Sequence, residues 1–336
     1  MKLIGYLICL SIVFIAFMGG RNTKNIEKVN FSVVSQSRDY REDMREFVVQ
    51  ISTYAKEKQP GFVVIPQNGI ELVTHNGEAT GMPSTAYLNA IDAHGQESLF
   101  YGYKKDNKAT PKETNNYTIE LLDVSKNSGN HILVTDYCSS VKKMTKSIQS
   151  NSESGYISFA ANQRNLTNIP SYPKQIFKEN SDDIHTINEA ENFLYLINFE
   201  EFESKEEFIN VVAKTNYDAL IIDLFFNDGS VLEKEDIQRL KVKANGATRK
   251  VICYMSIGEA EDYRYYWKNE WQGESPIWLD KENEDWAGNY KVKYWKKGWK
   301  SIIIGSKESY LDKVIASEFD GVYLDIIDAF EYYEEQ

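Results

Sequence analysis

Eight short apolar runs along the chain predict buried strands. They lie at residues 62–65, 98–101, 131–135, 156–160, 193–197, 219–224, 251–257 and 321–326. Most show no alternation of apolar and polar positions, which is typical of strands covered on both faces in a parallel sheet. Helical spacing of apolar residues fills most of the intervals, and Phe47, Val48, Ile51 and Ala55 predict a helix before the first strand. Eight strand-helix units favour a (β/α)8 TIM barrel over an open doubly wound sheet.

The N-terminal segment differs from the rest of the chain. Lys2 precedes an apolar run from residue 3 to residue 18, and this pattern indicates a secretory signal or a short uncleaved anchor. We therefore assign residues 1–20 to a signal peptide or anchor and the polar residues 21–37 to a tether before a single α/β domain. The prediction is a secreted or cell-surface protein that touches a membrane only through this possible anchor.

Charge and missing motifs exclude several function classes. The 336 residues include 38 lysines and arginines against 50 aspartates and glutamates, so the net charge of −12 disfavours nucleic acid as a partner. Glycine-rich nucleotide fingerprints and a Gly-x-Ser-x-Gly motif are missing from the sequence. The four histidines lack the spacing of zinc ligands. We expect neither a cofactor nor a metal.

Polar residues follow most of the predicted strands, at the end where barrels of this kind carry their chemistry. They are Gln67, Asn68, Asp136, Tyr137, Asp223, Glu259, Asp325 and Asp328, and Glu97 stands just before the run at 98–101. Each acid taken alone is equally well explained as a helix cap or a structural hydrogen-bond acceptor. Their convergence on one face favours a functional site.

All six tryptophans fall between residues 267 and 299. Sugar faces stack on aromatic rings, and cleavage of a glycosidic bond needs two carboxyl groups, so an acid-lined mouth beside tryptophans suits a glycoside hydrolase. At least one of Trp267, Trp271, Trp286 and Trp295 should line the mouth. Packing of a long insertion against the barrel explains most of these rings equally well.

Three runs of sequence resemble glycoside hydrolase family 114, the endo-α-1,4-polygalactosaminidase-like barrels. They are VICYMSIGEAEDYR at 251–264, GNYKVKYW at 288–295 and FDGVYLDIIDAF at 319–330. The N-terminal half resembles the family in PQNG at 66–69, GQE at 95–97 and VTDYC at 134–138. The resemblance covers most of the chain after residue 38.

The resemblance implies catalytic carboxylates at the ends of the fourth and sixth family strands, which correspond here to Asp325 and Glu97. We assign Asp325 as nucleophile or base and Glu97 as general acid. The implied substrate is an amino-sugar polysaccharide such as α-1,4-polygalactosamine. The residues that would bind it are Asp223, Glu259, Asp328, Asp136, Tyr137, Gln67, Asn68, Tyr254 and Trp295.

The order of the motifs departs from the family, whose members place the part resembling residues 193 onward first. We interpret this as a circular permutation. Residues 38–170 then form the second half of the barrel (family strands five to eight), 171–190 a linker, and 191–336 the first half (family strands one to four). Joining elements in a new order is easy in a barrel, because its terminal elements are neighbours. The permutation predicts that strand 62–65 pairs in parallel with 321–326 and that 193–197 pairs with 156–160 across the linker. A gene-assembly artefact or a fragment of a tandem duplication would give the same order.

Two other functions fit the same sequence. A pseudoenzyme would bind the polysaccharide without cutting it, and retained binding without hydrolysis would reveal it. A metal-dependent hydrolase on the same fold is less well supported, because the histidine spacing gives no metal site.

Overall fold

The structure, a computed structural model, describes residues 38–336, and Asp39–Gln336 form one compact unit. The predicted signal or anchor and the tether lie outside the described residues. Across residues 38–336, every helix is too short or too polar to span a bilayer.

Strands and helices alternate through most of the described chain. In chain order the elements are α1 (Tyr40–Lys58), β1 (Val63–Pro66), α2 (Thr85–Ala90), β2 (Ala93–Glu97), α3 (Lys112–Asn127), β3 (His131–Tyr137), α4 (Val141–Glu153), β4 (Ile157–Ala161), β5 (Phe193–Tyr195), α5 (Lys205–Val212), β6 (Ala219–Ile222), α6 (Lys234–Leu240), β7 (Lys250–Ser256), β8 (Glu259–Glu261), β9 (Leu279–Glu282), β10 (Asn289–Val292), α7 (Lys297–Ile303), α8 (Tyr310–Ala316), β11 (Gly321–Asp325) and α9 (Ala329–Glu334). Short 3-10 helices lie at Ile70–Val73, Ile187–Glu189 and Asn269–Gln272.

Helix α1 forms where the apolar spacing predicts it. Asp39 caps its N-terminus by accepting a hydrogen bond from the backbone N–H of Glu42 at 2.9 Å. Phe47, Ile51 and Ala55 are fully buried on its inner face.

Eight strands form two parallel sheets, with the orders β1-β11-β7-β6-β5 and β2-β3-β4. A parallel bridge between Gln67 and Gly95 joins the two sheets after β1. At the other side, the rings of Phe159 on β4 and Phe193 on β5 lie 5.6 Å apart. This arrangement is compatible with a TIM-like barrel.

The two ends of the described fold are neighbours. Strand β1 pairs in parallel with β11, as predicted, with Val63 opposite Gly321. A Cβ atom at Gly321 would lie 2.3 Å from the carbonyl oxygen of Val63, so this close approach requires glycine. Arg41 on α1 donates two hydrogen bonds, of 2.9 and 3.0 Å, to Glu334 on α9.

Two predictions about strands are wrong. The predicted hydrogen-bonded pairing of 193–197 with 156–160 is not made between the described strands, because the N–H of Ile197 bonds to the carbonyl of Leu166 in the loop after β4. The run at 98–101 is a loop, and the strand precedes it as β2, Ala93–Glu97. The apolar criterion missed β2 because polar residues fill most of it. Glu97 is therefore the last residue of a strand.

The long stretch between β7 and β11 carries a small antiparallel sheet with the order β8-β10-β9. Its tryptophans form a packed series: ring centroids are 5.3 Å apart for Trp267 and Trp271, 5.0 Å for Trp271 and Trp278, and 5.1 Å for Trp278 and Trp299. Trp286, in the turn between β9 and β10, is 53% exposed. Packing thus explains most of the tryptophan cluster.

Candidate active site

A cavity of about 390 Å³ lies at the carboxyl ends of the strands. Strand order brings together there residues that are distant in sequence, because parallel strands end on the same side of a sheet. Nine of the predicted site residues line it: Gln67, Asn68, Glu97, Tyr137, Asp223, Tyr254, Glu259, Asp325 and Asp328.

Asp325 ends β11 and is held through both carboxylate oxygens. The hydroxyl of Tyr254 donates to Oδ2 at 2.6 Å, and the backbone N–H of Ile326 donates to Oδ1 at 2.8 Å. Burial, followed by the charge of Glu97, raises the pKa of Asp325 to about 7 despite these donors. The charge of Glu97 therefore acts on the proton of Asp325.

The backbone after Asp325 is strained. Ile326 has φ +57°, which is unusual for a β-branched residue and costs on the order of 1–3 kcal/mol. Its carbonyl oxygen would lie 2.1 Å from a Cβ atom at Gly258, so only glycine fits opposite it. The strained turn aims the Ile326 N–H at Asp325.

Glu97 is held from two sides at the end of β2. Tyr137 donates a hydrogen bond from its hydroxyl to Oε1, and the amide of Asn68 donates to Oε2 at 3.1 Å. The same amide accepts from the backbone N–H of Glu97 at 3.0 Å. Asn68 adopts φ +61°, a conformation that asparagine tolerates well. Asn68 thus positions the general-acid candidate.

Tyr195 lines the cavity and packs against Tyr323. The hydroxyl of Tyr195 donates to Gln67 Oε1 at 2.9 Å, and its ring centroid lies 5.2 Å from that of Tyr323. The Tyr323 hydroxyl would lie 2.1 Å from a Cβ atom at Gly95, so the glycine of the GQE motif makes room for this ring. Gln67 is consequently fixed in the cavity lining.

Asp328 follows Asp325 by one turn and also lines the cavity. Burial, followed by the charge of Asp325, raises the pKa of Asp328 to about 8. Both effects favour the protonated carboxyl group, which can donate a hydrogen bond to a ligand oxygen.

Asp223 is part of a buried ion network. Arg264 donates to both carboxylate oxygens of Asp223, at 2.8 and 2.7 Å, and to Glu261 at 2.6 Å. Tyr263 donates to the same glutamate at 2.6 Å. Because its oxygens are engaged by Arg264, Asp223 holds the cavity wall in place.

Glu259 lines the cavity and is only partly paired. Its Oε1 accepts from Asn283 at 2.8 Å and lies 3.5 Å from the Lys291 ammonium group. Its Oε2 is buried and has no hydrogen-bond partner among the described residues. Burial raises the pKa of Glu259. A ligand donor at this position would satisfy the oxygen.

Two predicted binding residues lie elsewhere. Asp136 faces away from the cavity because neighbouring side chains on a strand alternate, and Tyr137 takes the inner face. Asp136 accepts hydrogen bonds from the N–H groups of Phe100 and Tyr101 at 2.8 and 3.0 Å and is fully buried. Trp295 packs against Tyr40, with ring centroids 5.0 Å apart, rather than at the mouth.

Several lining residues were missed by the sequence argument. They are Arg164, Asn165, Leu166, Tyr195, Ile197, Asn198, Glu261, Arg264, Asn289 and Ile326, whereas Trp286 and Tyr263 belong to the aromatic stretch that was expected to supply part of the wall. Glu259 and Glu261 stand two residues apart on β8, so their side chains lie on the same face of the strand. This spacing would have identified Glu261 as a lining residue. Over residues 38–336, no three histidine, cysteine, aspartate or glutamate side chains are arranged to hold a metal ion.

The fold and the site define an α/β protein of parallel strands with an acid-lined cavity at their carboxyl ends. Residues 201–336 match the model of glycoside-hydrolase family GH114. This match confirms the family resemblance for that part of the chain.

Curated relatives match a similar length of chain. Uncharacterized proteins of Methanocaldococcus jannaschii, Thermotoga maritima and Deinococcus radiodurans are 48% identical over 130 residues, 40% over 125 and 37% over 126. The matches cover 38%, 37% and 38% of this chain and 35%, 37% and 38% of the respective relatives. The chain thus spans little more than a third of the length of the relatives it matches.

Proposed function

We propose that this protein is a glycoside hydrolase that uses Asp325 and Glu97 to cleave an α-1,4-linked amino-sugar polysaccharide. The observation that carries the proposal is the placement of these two carboxyl groups in one cavity. Glycosidic cleavage requires such a pair, one group protonated and the other ionised. The match of residues 201–336 to family GH114 supports this class of enzyme.

In this mechanism Glu97 gives its proton to the glycosidic oxygen as the bond to the leaving sugar breaks. Asp325, ionised, attacks the anomeric carbon or takes a proton from the attacking water. Asn68 and Tyr137 hold the Glu97 carboxyl group, and Tyr254 stabilises the negative charge of Asp325 through its hydrogen bond.

Amine-bearing sugars suit the charge of the cavity. Glu259 Oε2 is buried without a partner among residues 38–336 and would accept a hydrogen bond from an ammonium group. The net charge of −12 attracts a cationic polymer. Trp286 offers an exposed ring on the cavity wall for stacking on a sugar face.

We also propose that the chain is exported and circularly permuted. Support for permutation comes from the pairing of β1 with β11 and from the contact between Arg41 and Glu334, which bring the two ends of the described fold together. A gene that encodes 171–336, a flexible linker and 38–170 in that order keeps the buried Ile184 and Ile187 and should yield a protein with the same melting temperature within a few degrees. Failure of this rearranged protein to fold would contradict the permutation.

A reducing-sugar assay tests the enzymatic proposal. Purified protein incubated with partially deacetylated galactosaminogalactan should release new reducing ends. Glu57→Gln is a matched control for Glu97→Gln, because Glu57 is an exposed residue of α1 that does not line the cavity. If the wild-type protein binds the polymer but generates no new reducing ends, the proposal is contradicted and a pseudoenzyme is favoured.

A further inference from the structure

A second cavity, of about 540 Å³, adjoins the candidate active site. Its walls come from the 3-10 helix Ile70–Val73, helix α3 and the loop after β2. Asn68, Glu97 and Asp328 line both cavities. Asp325 lines the first cavity and is not among the lining residues of the second. Glu97 therefore stands at the boundary between the two.

The position of Glu97 has a chemical meaning if it is the acid of the proposed reaction. A glycosidic oxygen joins two sugars, so the acid that protonates it must have one sugar on each side. The sugar whose anomeric carbon reacts must contact Asp325 and hence occupy the first cavity. The leaving sugar must then extend past Glu97 into the second. Each cavity volume falls within the usual range for a ligand site.

The second cavity has the side chains that a saccharide needs. Tyr103 is 55% exposed and Tyr117 38% exposed, and the hydroxyl of Tyr117 is anchored to the carbonyl of Gly77 at 2.9 Å. These rings offer faces for sugar stacking. Glu71 on the 3-10 helix and Glu113 on α3 also line this cavity and complement an amine-bearing chain.

We propose that this second cavity binds the leaving-group side of an amine-bearing saccharide chain, with Tyr103 as its stacking platform. The proposal rests on the proposed function for the direction of the chain. It predicts that long oligosaccharides bind more tightly than short ones, because only the long ones fill both cavities.

Calorimetric titration in the Asp325→Asn background tests this binding, since that variant leaves the ligand intact. The ligands are a disaccharide and a hexasaccharide prepared from partially deacetylated galactosaminogalactan. Tyr103→Ala should weaken hexasaccharide binding about fivefold and leave disaccharide binding unchanged. Tyr103→Phe should restore the affinity because it keeps the ring. Phe177→Ala is the matched control, because Phe177 is 39% exposed and lines neither of these two cavities.

Charge gives a second variant. Glu113→Gln should weaken hexasaccharide binding about threefold and have no effect once the amines of the ligand are acetylated. Normal hexasaccharide affinity in both Tyr103→Ala and Glu113→Gln would overturn the proposal, as would equal affinity of the parent for the two ligand lengths. Hydrolysis by the wild-type protein is measured separately, so loss of the enzymatic proposal is distinguishable from loss of the second binding site.

Discussion

Replacing Tyr254 by phenylalanine tests how Asp325 is used. The Tyr254 hydroxyl donates to Asp325 Oδ2 at 2.6 Å and lowers the pKa of a carboxyl group that burial and Glu97 raise to about 7. A hydrogen bond to a charged group contributes about 1.5–3 kcal/mol, and one pKa unit corresponds to about 1.4 kcal/mol. Tyr254→Phe should therefore raise the pKa of Asp325 by about one to two units.

The sign of the effect follows from the proposed role of Asp325. A nucleophile or base must be ionised, so kcat/KM should rise with pH through the Asp325 pKa. In Tyr254→Phe this acidic limb should move upward by about one to two units. Activity is then lost most strongly near pH 6 and approaches that of the wild type in alkaline solution.

The assay is kcat/KM across pH on partially deacetylated galactosaminogalactan, because this ratio reports the ionisation of the free enzyme. Tyr156→Phe is the control, since the Tyr156 hydroxyl bonds to Asp123 and Tyr156 does not line the cavity. An upward shift of the alkaline limb would refute the assignment, because Asp325 would then act in its protonated form. An unchanged profile would show that Asp325 is not the titrating group.

The remaining predictions concern other parts of the site. Asp325→Asn and Glu97→Gln should each lower hydrolysis by orders of magnitude while the melting temperature stays within a few degrees, and near-normal turnover of either variant would remove that residue from the mechanism. Arg264→Met should lower the free energy of unfolding by about 3–5 kcal/mol in a denaturant titration, because it leaves buried Asp223 and Glu261 without their cation. Arg239→Met, at an exposed residue, should change the free energy of unfolding little. Equal effects of the two substitutions would contradict this account of the network. Trp286→Ala should weaken polymer binding by about 1 kcal/mol without loss of stability. Trp278→Ala, at a buried residue, should instead destabilise the fold by about 3–5 kcal/mol. Normal polymer binding by Trp286→Ala would show that this ring only packs on the surface.

The apolar runs predicted most of the parallel strands because burial on both faces leaves a plain signal in sequence. Strand β2 escaped this criterion because Gly95 and polar neighbours replace the apolar run, where Tyr323 fills the space beside the glycine. The small sheet of β8, β9 and β10 escaped for a related reason. Its strands are short, β9 and β10 are partly exposed, and buried β8 consists mostly of glutamate, so no apolar period marks them.

Placement of the site residues was predictable to the extent that it follows from strand ends. Asp136 was misplaced because a polar residue at a strand end faces the cavity or the surrounding helices according to a register that the sequence does not reveal. Trp295 was misplaced because a tryptophan that packs inside the fold cannot be distinguished in the sequence from one that stacks on a ligand. The role of Asn68 depends on a left-handed backbone conformation, which asparagine tolerates but which cannot be predicted from the residue type alone.

Hydrolysis in water enriched in heavy oxygen tests the central claim most directly. Wild-type protein and the Asp325→Asn and Glu97→Gln variants are incubated with partially deacetylated galactosaminogalactan, and the masses of the products are measured by mass spectrometry. The account predicts that the wild-type protein releases oligosaccharides with one heavy oxygen at each new reducing end, and that both variants release almost none. Polymer left intact by the wild-type protein, or cleaved to products without heavy oxygen, would contradict it.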